Sequence, residues 1–200
     1  MATAEMLVLS LKQDCVLRLG ERQVLREDRM PSMTAVDVIN QLLANNRTRS
    51  LSLQTRHLDL HPSLRLAIVT CMDSRLDAFA ALGLEDGQAH ILRNAGGVVT
   101  DDVVRSLAIS QRLLRTEQVM VIHHTDCGMQ KLTDDGFRAE LQADTGMAPS
   151  FAIESFTDVE ADVRQSVARL RHSSFLPHRE RVRGFVYDVD THALAEINCP

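Results

Sequence analysis

Four short, largely apolar runs limit what this 200-residue chain can fold into. They are Leu64–Thr70 (LRLAIVT), residues 88–93 (QAHILR), residues 117–123 (EQVMVIH) and residues 183–189 (RGFVYDV). Each is too short to be a helix that buries a face. None alternates strictly between apolar and polar, so each reads as a strand covered on both sides. Helical patterns fill the gaps between them. Residues 74–82 (SRLDAFAAL) suit a helix closed by Gly83. Thr100, Asp101 and Asp102 open another, running to about Arg115, because a hydroxyl cap and two acids suit a helix N-terminus. Residues 135–144 are expected to be helical. Thr157-Asp-Val-Glu160 reads as a capping box opening a helix to about His172. The last strand turns back through Thr191 into residues 193–197. Strands alternating with helices predict an α/β fold, a mainly parallel sheet flanked by helices, with ligand sites at the carboxyl ends of its strands.

The chain ahead of these runs divides near residue 33. Glu21–Arg29 is densely charged, and Met30-Pro-Ser-Met33 follows. Residues 34–45 then read as an amphipathic helix, with Thr34 as its cap and Val38, Ile39, Leu42 and Leu43 on one face. Residues 1–33 are therefore expected to be an N-terminal extension, either disordered or the product of an upstream start. Residues 34–200 form one domain in this reading, a size that supports a single core.

Composition excludes some partners. Lys and Arg number 22 against 27 Asp and Glu, and no basic stripe is visible, so nucleic acid is not an expected partner. No apolar run approaches the roughly 20 residues of a membrane span. Met1–Gly20 carries Glu5, Lys12 and Asp14 and makes a poor secretory signal, so the expected location is the cytoplasm. In a reducing compartment, cysteines beside a histidine read as metal ligands or nucleophiles rather than as disulfides. Cys15 and Cys199 have no histidine pattern around them and are taken as incidental.

Two segments carry chemistry. Cys71-Met-Asp73-Ser-Arg75 follows the first strand, and His124-Thr-Asp-Cys127 follows the third. Thiolate and imidazole suit zinc, and three protein ligands (Cys71, His124 and Cys127) leave a fourth position open, as in catalytic rather than structural zinc sites. Two thiolates already neutralise the charge of the ion, which then acidifies its water less than a three-histidine site does. Asp73 is placed to accept a hydrogen bond from that water, and Arg75 to hold Asp73 ionised and oriented. A free Asp73 could instead become the fourth zinc ligand and close the site. His123 should point to the other side of its strand from His124 and pack in the core. Arg93 and the Asn94–Gly97 turn read equally as a site-lining segment or a tight turn. None of His57, His61, His90, His172, His178 and His192 is singled out as a proton shuttle, and Asp126 reads as shaping the ligand loop.

CMDSR, RNAGG and HHTDCGM together resemble the β-class carbonic anhydrases, specifically their short prokaryotic-type branch, from about Thr34 to the end of the chain. The resemblance implies a zinc held by Cys71, His124 and Cys127, and an Asp73–Arg75 dyad. It implies reversible hydration of carbon dioxide to bicarbonate by zinc-bound hydroxide. It also implies a homodimer or a multiple of dimers in which N-terminal helices pack on the partner subunit, a use that residues 34–45 would suit. The same branch contains carbonyl sulfide and carbon disulfide hydrolases with the same ligand set, so the motifs specify the centre better than the substrate. A non-enzymatic zinc protein with Asp73 closing the shell is the remaining alternative.

Overall fold

A computed structural model describes residues 35–53 and 57–200 of the chain. The extension and the Thr34 cap expected from the sequence lie outside these residues. The chain divides into two units, residues 1–55 and 56–200. In the first, helix α1 spans Ala35–Ser52. It runs a further two turns beyond the expected end, through a polar second half. Gln41 donates to Asn45 at 3.0 Å, and Thr48 donates to the Ala44 carbonyl at 3.2 Å. Ile39, Leu42 and Leu43 are exposed along it.

The second unit is a five-stranded sheet in the order β2-β1-β3-β4-β5. Strands β1 (Leu66–Cys71), β2 (Ala89–Asn94), β3 (Gln118–His124) and β4 (Val182–Tyr187) are parallel, and β5 (Leu194–Ile197) returns antiparallel to β4. The expected strands are all present. The first starts two residues late because Arg65 sits at a φ of 52°, a left-handed conformation that breaks extended backbone.

Successive strand residues face opposite sides, and the two faces are covered differently. Ala67, Val69, Val119, Val121 and Val182 pack against helices α3 (Asp101–Leu113) and α5 (Val159–Arg171) through Leu107, Val163, Val167 and Leu170. Each of these fully buried Val and Leu side chains contributes about 1.5–3 kcal/mol. Ile68, Ile122 and Phe185 face the other way and meet Leu76 and the short helix α2 (Ala78–Leu82).

Helix caps differ from the expected ones in two places. Helix α2 begins at Ala78 rather than residue 74, because the Asp77 side chain accepts from Phe79 N and Ala80 N and caps it there. Residues between Cys71 and Asp77 are thereby left as a loop at the end of β1. The cap of α5 is Asp158, accepting from Glu160 N and Ala161 N, rather than Thr157. Thr100 caps α3 as expected, and α4 (Asp134–Thr145) is capped by Thr133.

Candidate metal centre

Parallel strands β1 and β3 are neighbours, and Cys71 and His124 are their last residues. Cys127 follows three residues later, on a loop in which Asp126 takes a φ of 52°. That left-handed turn, tolerated by Asp better than by most residues, curls the chain back so that the cysteine rejoins the histidine. All three side chains are buried, and their potential ligand atoms lie within 4.8 Å of one another. The two sulfurs are 4.0 Å apart. Sulfurs bonded to zinc at about 2.3 Å in a tetrahedral shell are ~3.8 Å apart, so the pair has the spacing such an ion needs.

His124 supplies the sharper test of fit. Its Nδ1–H donates to the Thr125 carbonyl at 2.8 Å, which leaves Nε2 as the unprotonated nitrogen. That Nε2 is buried and has no hydrogen-bond partner. An orphaned buried imidazole nitrogen costs free energy unless something accepts its lone pair. With two thiols beside it, the donor set fits a soft divalent cation.

The thiols titrate as a pair. Cys71 is drawn well below the usual thiol range, first by the hydrogen bond from Cys127 and then, against its burial, by His124 and the N–H groups of Asp73 and Gly96. Cys127 is pushed up by the Cys71 thiolate beside it and by burial. One proton therefore leaves readily, and the second is held until a cation takes its place. Burial works against a charged His124, yet the neighbouring Cys71 sulfur and the Thr125 carbonyl raise its pKa overall.

Asp73 stands at the edge of this cluster, its Oδ2 3.8 Å from His124 Nε2. Arg75 grips it as a fork: Nε donates to Oδ1 at 3.0 Å and Nη2 to Oδ2 at 2.8 Å, while the Arg75 backbone N–H adds a third bond at 2.9 Å. These bonds hold the Asp73 carboxyl far below the usual carboxylate range. The same guanidinium donates to Asp126, at 2.8 Å to Oδ2 and 2.9 Å to its carbonyl oxygen. Asp126 is also paired with Lys131 at 2.8 Å, and Lys131 first and then Arg75 hold its carboxyl down to about 2. Sequence reasoning gave Asp126 only the shape of the loop. The available signal was an acid between two candidate ligands, opposite an arginine already assigned to another acid.

His123 packs as expected, fully buried and facing away from His124. Its Nε2 lies 3.1 Å from the Gly97 carbonyl and its Nδ1 3.1 Å from the Asp162 carboxylate, with Phe156 stacked on the ring. Cys199 lies outside the cluster, its thiol donating to the Ile197 carbonyl, and Cys15 lies outside the described residues. Several remaining histidines are engaged elsewhere: His90 with Ser110, His172 with the Ala168 carbonyl and His192 with the Tyr187 hydroxyl.

A mainly parallel sheet with two cysteines and a histidine converging at adjacent strand ends defines an α/β protein with a thiolate–imidazole centre. Residues 66–149 match the family model described as carbonic anhydrase. The chain is 51% identical over 140 residues to β-carbonic anhydrase 1 of Mycobacterium tuberculosis, covering 70% of this chain and 86% of that protein. It is 34% identical over 159 residues to a carbon disulfide hydrolase of an Acidianus species, covering 67% of this chain and 78% of the relative. The crystal structure of a carbonic anhydrase from Streptococcus mutans superposes with a TM-score of 0.75 at 46% identity, over 84% of this chain and 99% of that one. The chain belongs to the β-carbonic anhydrase family, whose members act on carbon dioxide or related small molecules. Among the described residues, no helix is long and apolar enough to cross a membrane.

Proposed function

We propose that this protein reversibly hydrates carbon dioxide to bicarbonate at a zinc ion held by Cys71, His124 and Cys127. The observation that carries the proposal is the orphaned His124 Nε2, buried between two thiols with the Asp73 carboxylate 3.8 Å away. Zinc in such a donor set supplies a Lewis acid that acidifies a water molecule. Asp73 is the hydrogen-bond acceptor of the site, placed to orient that water. Held ionised by Arg75, it offers acceptors only, so a nucleophilic water beside it must turn a hydrogen toward Oδ2 and a lone pair toward the substrate. Arg75 orients Asp73 and also restrains it, because a carboxylate in a two-pronged fork gives up two charge-assisted bonds if it turns inward to ligate a metal. This favours the open centre over the closed, non-enzymatic one.

The higher identity to a β-carbonic anhydrase than to the carbon disulfide hydrolase favours carbon dioxide over the sulfur analogues. Stopped-flow hydration of carbon dioxide per bound zinc, at neutral and mildly alkaline pH, tests the proposal. Turnover above about 10³ s⁻¹, beyond ordinary enzyme rates, is the expected result. Negligible turnover with zinc bound would overturn it in favour of carbonyl sulfide or carbon disulfide hydrolysis, read by headspace loss of those gases.

The proposal extends to setting and assembly. Residues 1–33 are an extension that the activity does not require, and a chain lacking them should fold and turn over normally. The exposed Ile39, Leu42 and Leu43 of α1 support a homodimer or dimer-based oligomer formed through that helix. A reducing cytoplasm keeps Cys71 and Cys127 as ligands rather than a disulfide.

A further inference from the structure

The RNAGG segment enters the chemistry above only through the Gly96 N–H beside Cys71, yet its first residue also reaches the centre. Arg93 is the penultimate residue of β2 and lies in register with Thr70 of β1, one residue before Cys71. Its guanidinium is aimed at main-chain carbonyls rather than at a carboxylate. Nε donates to the Cys71 carbonyl at 2.9 Å, and Nη2 donates to the Asp73 carbonyl at 2.6 Å and the Leu76 carbonyl at 2.9 Å. All three acceptors belong to one stretch, the loop that carries Asp73 and Arg75 from the end of β1 to the cap of α2.

Apart from the Arg75 bonds to Asp73 and Asp126, this loop has two other main-chain ties. Its Met72 N–H donates to the Asn94 carbonyl at 2.8 Å, and Leu76 N–H donates to the Asp73 carbonyl at 3.1 Å. The second of these bends the loop into a turn, which brings its carbonyls toward one point. A planar guanidinium with donors at fixed angles can serve several such carbonyls together, whereas an ammonium is a point charge without that fork.

We propose that Arg93 is a positioning residue for the Asp73–Arg75 dyad: by binding the Cys71, Asp73 and Leu76 carbonyls it sets the main-chain path that puts the Asp73 carboxylate beside His124 Nε2. The assignment rests on the reading of Asp73 as the group that accepts a hydrogen bond from the water at the site. The loop is pinned independently at both ends, by β1 and by Leu76, which is buried in the core. Removing the side chain at 93 should therefore loosen the middle of the loop and leave the fold in place. Displacing a catalytic group by about 1 Å costs up to 10²-fold in rate.

Arg93→Ala and Arg93→Lys in the full-length zinc-loaded protein test the proposal. Both should keep zinc stoichiometry and melt close to wild type, while kcat per zinc falls about ten- to a hundredfold and KM moves little. Added guanidinium ion should restore part of the lost kcat in Arg93→Ala and none in Asp73→Asn, and lysine should not substitute. Unchanged kcat per zinc in Arg93→Ala would overturn the proposal. So would a loss that follows zinc content or melting temperature and ignores guanidinium, which would make Arg93 a scaffold residue only. A second readout is independent of substrate. The visible spectrum of the cobalt-loaded protein should change in Arg93→Ala as the carboxylate moves relative to the metal, and an identical spectrum overturns the assignment. If wild type fails to hydrate carbon dioxide but the cobalt spectrum changes, the proposed function falls and the positioning role stands.

Discussion

Arg75 donates to both the carboxylate and the main-chain carbonyl of Asp126, across 51 residues of sequence. The two loops that carry the candidate ligands are thus joined by one side chain, which already holds Asp73. Half of the Asp126 side chain is exposed, as is nearly half of Arg75, and an ion pair so exposed is largely screened by solvent.

Asp126→Asn should accordingly slow carbon dioxide hydration by no more than about fivefold. Asparagine is the right probe because it tolerates the positive φ at this position, and the Asp126 carbonyl would still receive its bond from Arg75. Stopped-flow kinetics with zinc quantified alongside gives the answer. A loss of a hundredfold would mean that Asp126 does more than brace Arg75.

Removing a ligand and removing the dyad should separate cleanly. Cys71→Ser and His124→Ala are expected to lose zinc on dialysis, because each leaves two protein ligands where three are needed. Asp73→Asn should retain zinc and lose about a hundredfold or more of its turnover at neutral pH, since the amide keeps the shape but lacks the charge and can present a donor where the carboxylate only accepts. Zinc stoichiometry by elemental analysis distinguishes the two classes. Full occupancy in either ligand variant would remove that residue from the centre, and normal turnover in Asp73→Asn would remove Asp73 from the mechanism.

Gly97 makes a structural prediction at the same place. It has a φ of +72°, and a Cβ there would lie 2.8 Å from the Cys71 backbone nitrogen and 2.9 Å from the Thr70 carbonyl carbon. Neither atom can move without moving β1, so Gly97→Ala should cost about 2–4 kcal/mol from overpacking and left-handed strain together. Gly83 also has a positive φ, +64°, but a Cβ there meets nothing within 4 Å. Gly83→Ala should cost only the conformational part, about 1 kcal/mol. Urea unfolding of both variants checks the difference; equal losses would mean that close packing against Cys71 is not what Gly97 provides.

Much of this was legible before the structure. The buried strands announced themselves by composition, and Cys71 and His124 by standing where two of those strands end. What stayed hidden was set by contacts remote in sequence or by competition between equivalent local signals. Asp73 and Asp77 are both acids able to cap a helix, and nothing local says that Asp73 turns to Arg75 while Asp77 caps α2. The same ambiguity moved the cap of α5 from Thr157 to its neighbour. Arg93 and Asp126 each look like ordinary loop or strand-end charges until β2 and the His124–Cys127 loop are folded onto the end of β1.

The acid limb of stability offers a last test of the network. Lys131 and Arg75 hold the Asp126 carboxyl down to about 2 in the folded protein, against about 3.9 for an unfolded aspartate. Between these values the unfolded chain binds more protons than the folded one at this site, so the contribution of Asp126 is complete above about pH 4 and disappears as pH falls toward 2. Asp126→Asn removes that titration. The variant should be somewhat less stable than wild type at neutral pH, and should then lose less of its stability on acidification through the same window. Urea midpoints for both proteins at pH 6 and at about pH 3 measure the difference, with zinc content matched so that acid release of the metal weighs equally on each. Parallel acid limbs would show that Lys131 and Arg75 do not hold the Asp126 charge in solution.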